Sequence, residues 1–168
     1  SSGPLACSIS IFYNNIMQIK INDILEQLEL SFDTGKSYLN RLTGEFIYIS
    51  DDIFDYAEDD SLEGLADWEK DLTVIAKEIN ETDNYVQLPT KYEVNEYAIM
   101  EKFCQSVVDD RLKEILYSSI KGSGAFGRFK EIVRKHNIQE DWFSFRTEEL
   151  KMIATDWCER NKLQLSAG

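Results

Sequence analysis

Histidine is nearly missing from this chain: His136 is the only one. A general base needs an oriented partner, and the sequence identifies none for His136. It therefore reads as a packed or helix-capping residue on the apolar side of its helix. Cysteine is scarce and odd in number. Cys7, Cys104 and Cys158 show no C-x-x-C spacing, which speaks against a disulfide framework or a zinc site and fits a reducing cytoplasm. Cys104 and Cys158 fall on or beside apolar stripes, where cysteine behaves as a small buried hydrophobe. Positive charge is short as well: 18 Lys and Arg stand against 31 Asp and Glu, a net charge of −13. Such a chain is unsuited to general binding of nucleic acid or an anionic membrane, both of which rely on cations that neutralise phosphates. No apolar run approaches the ~20 residues that span a bilayer, and no basic-then-apolar signal peptide is present. G-x-S-x-G and H-E-x-x-H are missing, so enzyme activity is unsupported. No motif calls for a cofactor.

What remains is an ordinary globular composition, 168 residues with 43% hydrophobic and 29% charged, long enough to bury roughly 70% of the unfolded surface. Residues 1–16 read as a vector-derived, upstream-translated or disordered leader, and residues 17–168 as a single α+β domain. MQIKI alternates apolar and polar residues. Asn22 can then cap a short helix with Ile24, Leu25 and Leu28 inward. Tyr38 to Ile49 reads as two strands around Thr43-Gly44, and Tyr85 to Leu88 as a third strand stopped by Pro89. The expected fold is mostly helical, with a small antiparallel sheet made of a hairpin near 37–50 and a short strand near 85–88.

Between hairpin and third strand lies the most acidic stretch, Asp51 to Asp71, in which Lys70 is the single base. Its first half reads as a solvated loop or helix start. It lacks the spaced ligands and turn glycine of a calcium loop, so no metal site is assigned. In the second half Leu65, Trp68, Leu72, Ile75, Ala76 and Ile79 form one helical stripe ending near Asn80. After Pro89 the chain reads as helical. Asn95 caps a helix with Tyr97, Met100, Phe103, Cys104 and Val107 inward. Asp109 or Asp110 opens the next, with Leu112, Ile115, Leu116 and Ile120 inward. Trp142, Phe143 and Phe145 lead into a last helix with Leu150, Ile153, Ala154 and Trp157 inward.

Positive charge gathers in one place. From Ile120 to His136, Lys121, Arg128, Lys130, Arg134 and Lys135 face only Glu131. Phe126, Phe129, Ile132 and Val133 form the apolar stripe of a helix there, which displays the cations, and Asn137 tolerates the left-handed turn that closes it. Gly122 and Gly124 permit unusual backbone angles, and a helix starting near Ala125 would aim its first N–H groups into that loop, an arrangement that attracts anions. A phosphate there would meet those groups, the Ser123 hydroxyl and Arg128. Gly122 to Gly127 also satisfies G-x-G-x-x-G, but the motif signifies a dinucleotide site only between a strand and a helix, and the preceding segment here is helical. The plain alternative is a glycine turn between two helices. Trp142 and Phe145 are candidates for a stacking or partner-binding surface, with packing into the core as the commoner fate of such residues.

Four segments keep a distinctive order: YLNRLTGEFIYISDD, YVQLPTKYEVNEYAIMEKFC, IKGSGAFGRFKEIV and DWFSFRTEELKMIATDWCERNKL. Together they resemble a bacterial uncharacterised protein family (UPF), whose members carry L-P-x-x-Y, I-M-E-x-F, G-x-G-A-F-x-R-F-K, W-x-x-F and W-C-E in this sequence. The signature falls on Gly122, Gly124, Ala125, Phe126, Arg128, Phe129, Lys130, Trp142, Phe145, Trp157 and Cys158. Ser123 and Gly127 depart from a more basic family pattern, G-K-G-A-F-R-R-F-K, which weakens a phosphate role here. The resemblance implies one α+β domain in a bacterial cytoplasm with Met17 as the natural start, and carries over no activity.

Three functions are compatible with these features. The first is a non-catalytic interaction or regulatory module that uses Gly122, Ser123, Gly124, Arg128 and Lys130 to hold a macromolecule, protein rather than nucleic acid, with no membrane role. The second is an enzyme or binding protein for a phosphate-containing small molecule at the same loop. The third is an acidic inhibitor or nucleic-acid mimic that uses Asp51 to Asp71. The acidic and basic segments could also pair with each other.

Overall fold

The computed structural model describes residues 17–30 and 33–166; the leader assigned to residues 1–16, with Cys7, lies outside them. The chain is α+β and mostly helical with a small antiparallel sheet, as expected. It forms two compact units. The first comprises the described residues up to Thr90 together with those from Ala154, and the second is Lys91–Ile153.

The sheet of the first unit is built on strands β2 (Gly35–Asn40), β3 (Phe46–Ser50) and β4 (Tyr85–Gln87), in the order β3-β2-β4 and antiparallel throughout. The Thr43-Gly44 turn forms where the sequence places it. Gly44 takes φ +78°, and the Asn40 carboxamide oxygen accepts the N–H groups of Leu42 and Thr43 at 2.8 and 3.2 Å. That side chain does the work of a backbone turn. The register pairs Tyr38 with Ile47 and Lys36 with Ile49. Tyr38, Ile47 and Ile49 therefore share one face of the pleat.

Helices α2 (Asp51–Asp59) and α3 (Asp67–Glu81) cover that face. Ile53 and Ala57 of α2 and Ala76 of α3 join Tyr38 and Ile49 in one buried cluster, flanked by Phe54, Leu72, Ile75 and Ile79. The first half of the acidic stretch, which reads as a solvated loop or helix start, is thus a full helix over Asp51–Asp59. Its i, i+4 pair Ile53 and Ala57 meets the sheet while its carboxylates face outward. Trp68, expected inward, is 62% exposed. Ala76 is buried as expected, Thr73 joins it at the centre of the stripe, and Thr73 satisfies its hydroxyl on the Glu69 carbonyl at 2.7 Å.

Helix α1 (Ile21–Glu29) buries Ile24 and Leu28, but its cap is Lys20 rather than Asn22, which lies inside the helix. The first unit also contains a two-residue parallel pairing that local pattern does not signal. Strands β1 (Gln18–Ile19) and β5 (Gln164–Leu165) join the two ends of the described chain.

In the second unit, α4 (Lys91–Val94) precedes α5 (Glu96–Ser106), which Asn95 caps by accepting the Ala98 N–H at 3.1 Å. The buried residues of α5 are Ile99, Met100, Phe103 and Cys104. Met100, Phe103 and Cys104 are inward as expected, whereas Tyr97 is 40% exposed and Ile99 takes its place. Asp109 caps α6 (Asp110–Ser119) through the Leu112 N–H at 2.9 Å. Helices α7 (Ala125–Lys135) and α8 (Gln139–Arg160) follow. Helix α8 begins before Trp142, so Trp142, Phe143 and Phe145 belong to it rather than to its approach. Its last turns, from Ala154, belong to the first unit. There Trp157 donates its indole N–H to the Gln87 carbonyl at 2.8 Å, and the Arg41 guanidinium donates to the Asn161 carbonyl at 2.9 Å.

Cys104 and Cys158 are both buried. Burial pushes each thiol up to about 11, as expected of cysteines that serve as small hydrophobes.

Candidate functional site: the glycine loop and basic helix

The second unit turns from α6 into α7 through Ile120 to Gly124. Gly122 and Gly124 both take left-handed backbone angles, φ +77° and +76°, a conformation that costs a residue with a Cβ roughly 1–2 kcal/mol. Gly124 occupies the N-cap position of α7 and offers no side-chain acceptor to the first turn. Ala125 takes the inward position ahead of Phe129 and Val133, whereas Phe126, expected on the stripe, is 47% exposed. At the other end Asn137 takes φ 54°, as expected of the closing turn, and of the two readings of His136 the capping one holds, since it is exposed at the C-cap and not packed.

The helix is anchored by aromatic rings. Phe129 and Trp142 meet edge-on with centroids 4.8 Å apart, and Phe103 lies 6.0 Å from Phe129 and 5.3 Å from Trp142. Phe145 approaches Phe103 at 5.5 Å. Trp142 is 8% exposed and Phe145 half-buried, so these two candidates for an aromatic surface are placed among core rings. The outward aromatic of that helix is Phe143.

Charge on α7 is divided in a way the sequence does not announce. Lys130, Arg134 and Lys135 are exposed, and Arg134 approaches Glu131 only at 4.0 Å. Arg128 is engaged instead. Its Nε donates to the Ser119 carbonyl at 3.0 Å, one terminal nitrogen to the Ser123 carbonyl at 2.6 Å, and the other to the Lys121 carbonyl. The last carbonyls of a helix lack intrahelical donors and carry the negative end of its dipole. The planar guanidinium fork satisfies one of these, that of Ser119, together with two loop carbonyls, which an ammonium cannot do. Arg128 therefore closes the end of α6 and fixes the loop, and it does not stand free toward an anion as expected. An Arg one turn into a helix that follows a helix and a glycine loop was the available signal. The buried Ser119, whose hydroxyl bonds the Leu116 carbonyl at 2.6 Å, carried no such signal.

The loop thus brings Gly122, Ser123, Gly124 and Arg128 together. Lys130 is exposed on the helix that follows. Among the described residues no group of three or more His, Cys, Asp or Glu is placed to hold a metal ion, and no helix is long and apolar enough to cross a membrane.

Neither a curated protein nor a solved structure matches the chain. A family model matches residues 14–168, and the chain belongs to that family, the uncharacterised protein family UPF0158.

Proposed function

We propose that this UPF0158 protein is a non-catalytic interaction module of the bacterial cytoplasm, holding an acidic protein partner on the outer face of α7. The observation that supports it is the exposed set Lys130, Arg134 and Lys135, joined by Lys121, in a chain whose net charge is −13. These cations have little structural duty, whereas Arg128 holds the loop that positions the helix. A protein partner suits the face better than nucleic acid does, because the acids elsewhere oppose a long polyanion.

The test is affinity capture from bacterial lysate at low and moderate salt, with wild-type protein beside Lys130→Glu/Arg134→Glu. The double variant leaves Arg128 and the aromatic anchor untouched, so its fold is preserved. Loss of a macromolecule that the wild type retains is the expected result. Capture that survives charge reversal in a folded variant rules this surface out.

A phosphate-containing ligand at Gly122, Ser123 and Gly124 is the second reading. It is favoured by the absence of a side-chain cap at the start of α7, which leaves first-turn N–H groups for an anion. Ligand at 100 times its dissociation constant stabilises a fold by about 2.7 kcal/mol. A panel of nucleotides and sugar phosphates that leaves the melting temperature unmoved rules it out.

A further inference from the structure

The first unit carries an open cleft of about 440 Å³ between the start of α1, the β2–β3 turn and α3. That volume suits a small ligand. Ile47, Ile75 and the rings of Phe46 and Tyr85 provide apolar and aromatic lining, while Asp23, Gln27, Asn40 and Glu45 provide the polar groups. Among the described residues no Lys, Arg or His contributes to it.

The polar groups are not equally available. Asn40 is occupied, its oxygen by Leu42 and Thr43 and its side chain by the Tyr85 hydroxyl. Burial raises the Tyr85 hydroxyl above its ordinary range, and the negative charges of Glu78 and Glu45 add to the effect, against the hydrogen bond from Asn40. Tyr85 therefore stays a neutral phenol. Among the described residues the Glu45 carboxylate has one long contact, with the Thr43 hydroxyl at 3.4 Å. Asp23 has no ion-pair partner among the described residues. Two uncommitted carboxylates beside two aromatic rings form an environment that favours a cation with hydrocarbon attached, since carboxylate oxygens and ring faces attract the head and the stem covers apolar surface.

We propose that this cleft binds an aliphatic cation, an ammonium or guanidinium on an alkyl stem. The head meets Asp23 and Glu45, and the stem lies along Phe46, Ile75 and Tyr85. Such a group comes either from a free amine or from a basic side chain of a peptide, and the two sources share this chemistry. The site is separate from the α7 face and stands or falls independently of it.

The experiment is a titration of the full chain, labelled for amide NMR, with agmatine, with acetyl-Gly-Arg-Gly-amide and with neutral n-butylurea. Saturable shifts centred on Gly44, Glu45 and Phe46 are expected with the two cations and not with the urea. Tighter binding of the peptide assigns a side chain as occupant; tighter binding of agmatine assigns a free amine. Asp23→Asn/Glu45→Gln should weaken binding by about tenfold. Gln27→Trp, which fills the cleft at unchanged charge, should abolish it. The proposal is overturned by shifts that do not saturate, by shifts equally large along Asp51–Asp59, or by affinity unchanged in both variants.

Discussion

Helices α2 and α7 are nearly opposite solutions to one problem. Each is short, and each buries a narrow stripe, Ile53 and Ala57 in one and Ala125, Phe129 and Val133 in the other. Yet α2 carries five acids and no base, and α7 four bases and one acid. The apolar stripe fixes where each helix packs, and net charge of either sign is tolerated on the outward face. Placement of charge along the axis then separates them. In α7 Arg134 and Lys135 sit in the last turn, where cations favour the helix dipole. In α2 Glu58 and Asp59 sit in the last turn, where anions oppose it, and the following Asp60 takes a left-handed angle, φ 54°, and pairs with Lys77. The comparison teaches that charge at this surface is largely separable from fold, with Arg128 as the exception.

The largest effects should come from the stripes. Phe129→Ala should cost about 3–5 kcal/mol and Ile53→Ala about 2–5 kcal/mol, read by urea unfolding, because Phe129 is 1% and Ile53 2% exposed. A cost below about 1 kcal/mol for either would break the symmetry between the two helices. Next come the cations of α7. Arg128→Met should cost about 1–2 kcal/mol, since three carbonyls lose a partly exposed donor, while Lys130→Met should stay within about 0.5 kcal/mol. Equal costs would remove the distinction between a structural and a displayed cation.

A further effect tests whether the two units have similar interiors, since Cys104 lies in one and Cys158 in the other. An ordinary thiol ionises near 9.0, and these do so at about 11 in the folded protein. Between those values the unfolded chain sheds protons that the folded chain keeps. The contribution to stability is thus complete below pH 9 and is lost as pH rises toward 11. Cys104→Ala and Cys158→Ala should each flatten the fall in stability above pH 9, to a similar degree; flattening by only one would show that the interiors differ. The smallest effect belongs to Asp60. The hydrogen bond and charge of Lys77 hold its carboxyl below the ordinary 3.8, so any advantage of wild type over Asp60→Asn is present at neutral pH. It should disappear as pH falls through the folded value, as acid titration of melting temperatures would reveal.

Much of the fold was legible because its signals are local. Thr43-Gly44 between β-rich runs gave the hairpin, Asn95 and Asp109 gave two helix starts, and Gly124 and Asn137 bracketed α7. Helix α2 was hidden by its own charge, which suggests a repelled loop unless the i, i+4 pair Ile53 and Ala57 is weighted above the carboxylates around it. Small phase errors at Tyr97, Trp68 and Phe126 arose because an apolar residue at helical spacing fits more than one rotation of a stripe, and neighbours such as Ile99, Thr73 and Ala125 settled which was used. Pairing of Gln18–Ile19 with Gln164–Leu165 is non-local: the alternation of MQIKI marked one strand, and no local pattern marked its partner. At the candidate site the glycines and the exposed Lys130 were legible. The engagement of Arg128 was signalled only by its place one turn into a helix after a glycine loop, because its acceptors are backbone carbonyls that no side-chain pattern marks.

The central claim is that α7 divides its cations between holding the loop and facing outward. Native-state amide hydrogen exchange across Ile120 to Arg128 tests it most directly, in Arg128→Met and Lys130→Met beside the wild type. Exchange should accelerate through this segment in Arg128→Met and stay at the wild-type rate in Lys130→Met. Unchanged exchange in Arg128→Met, or equal acceleration in both, would contradict the account.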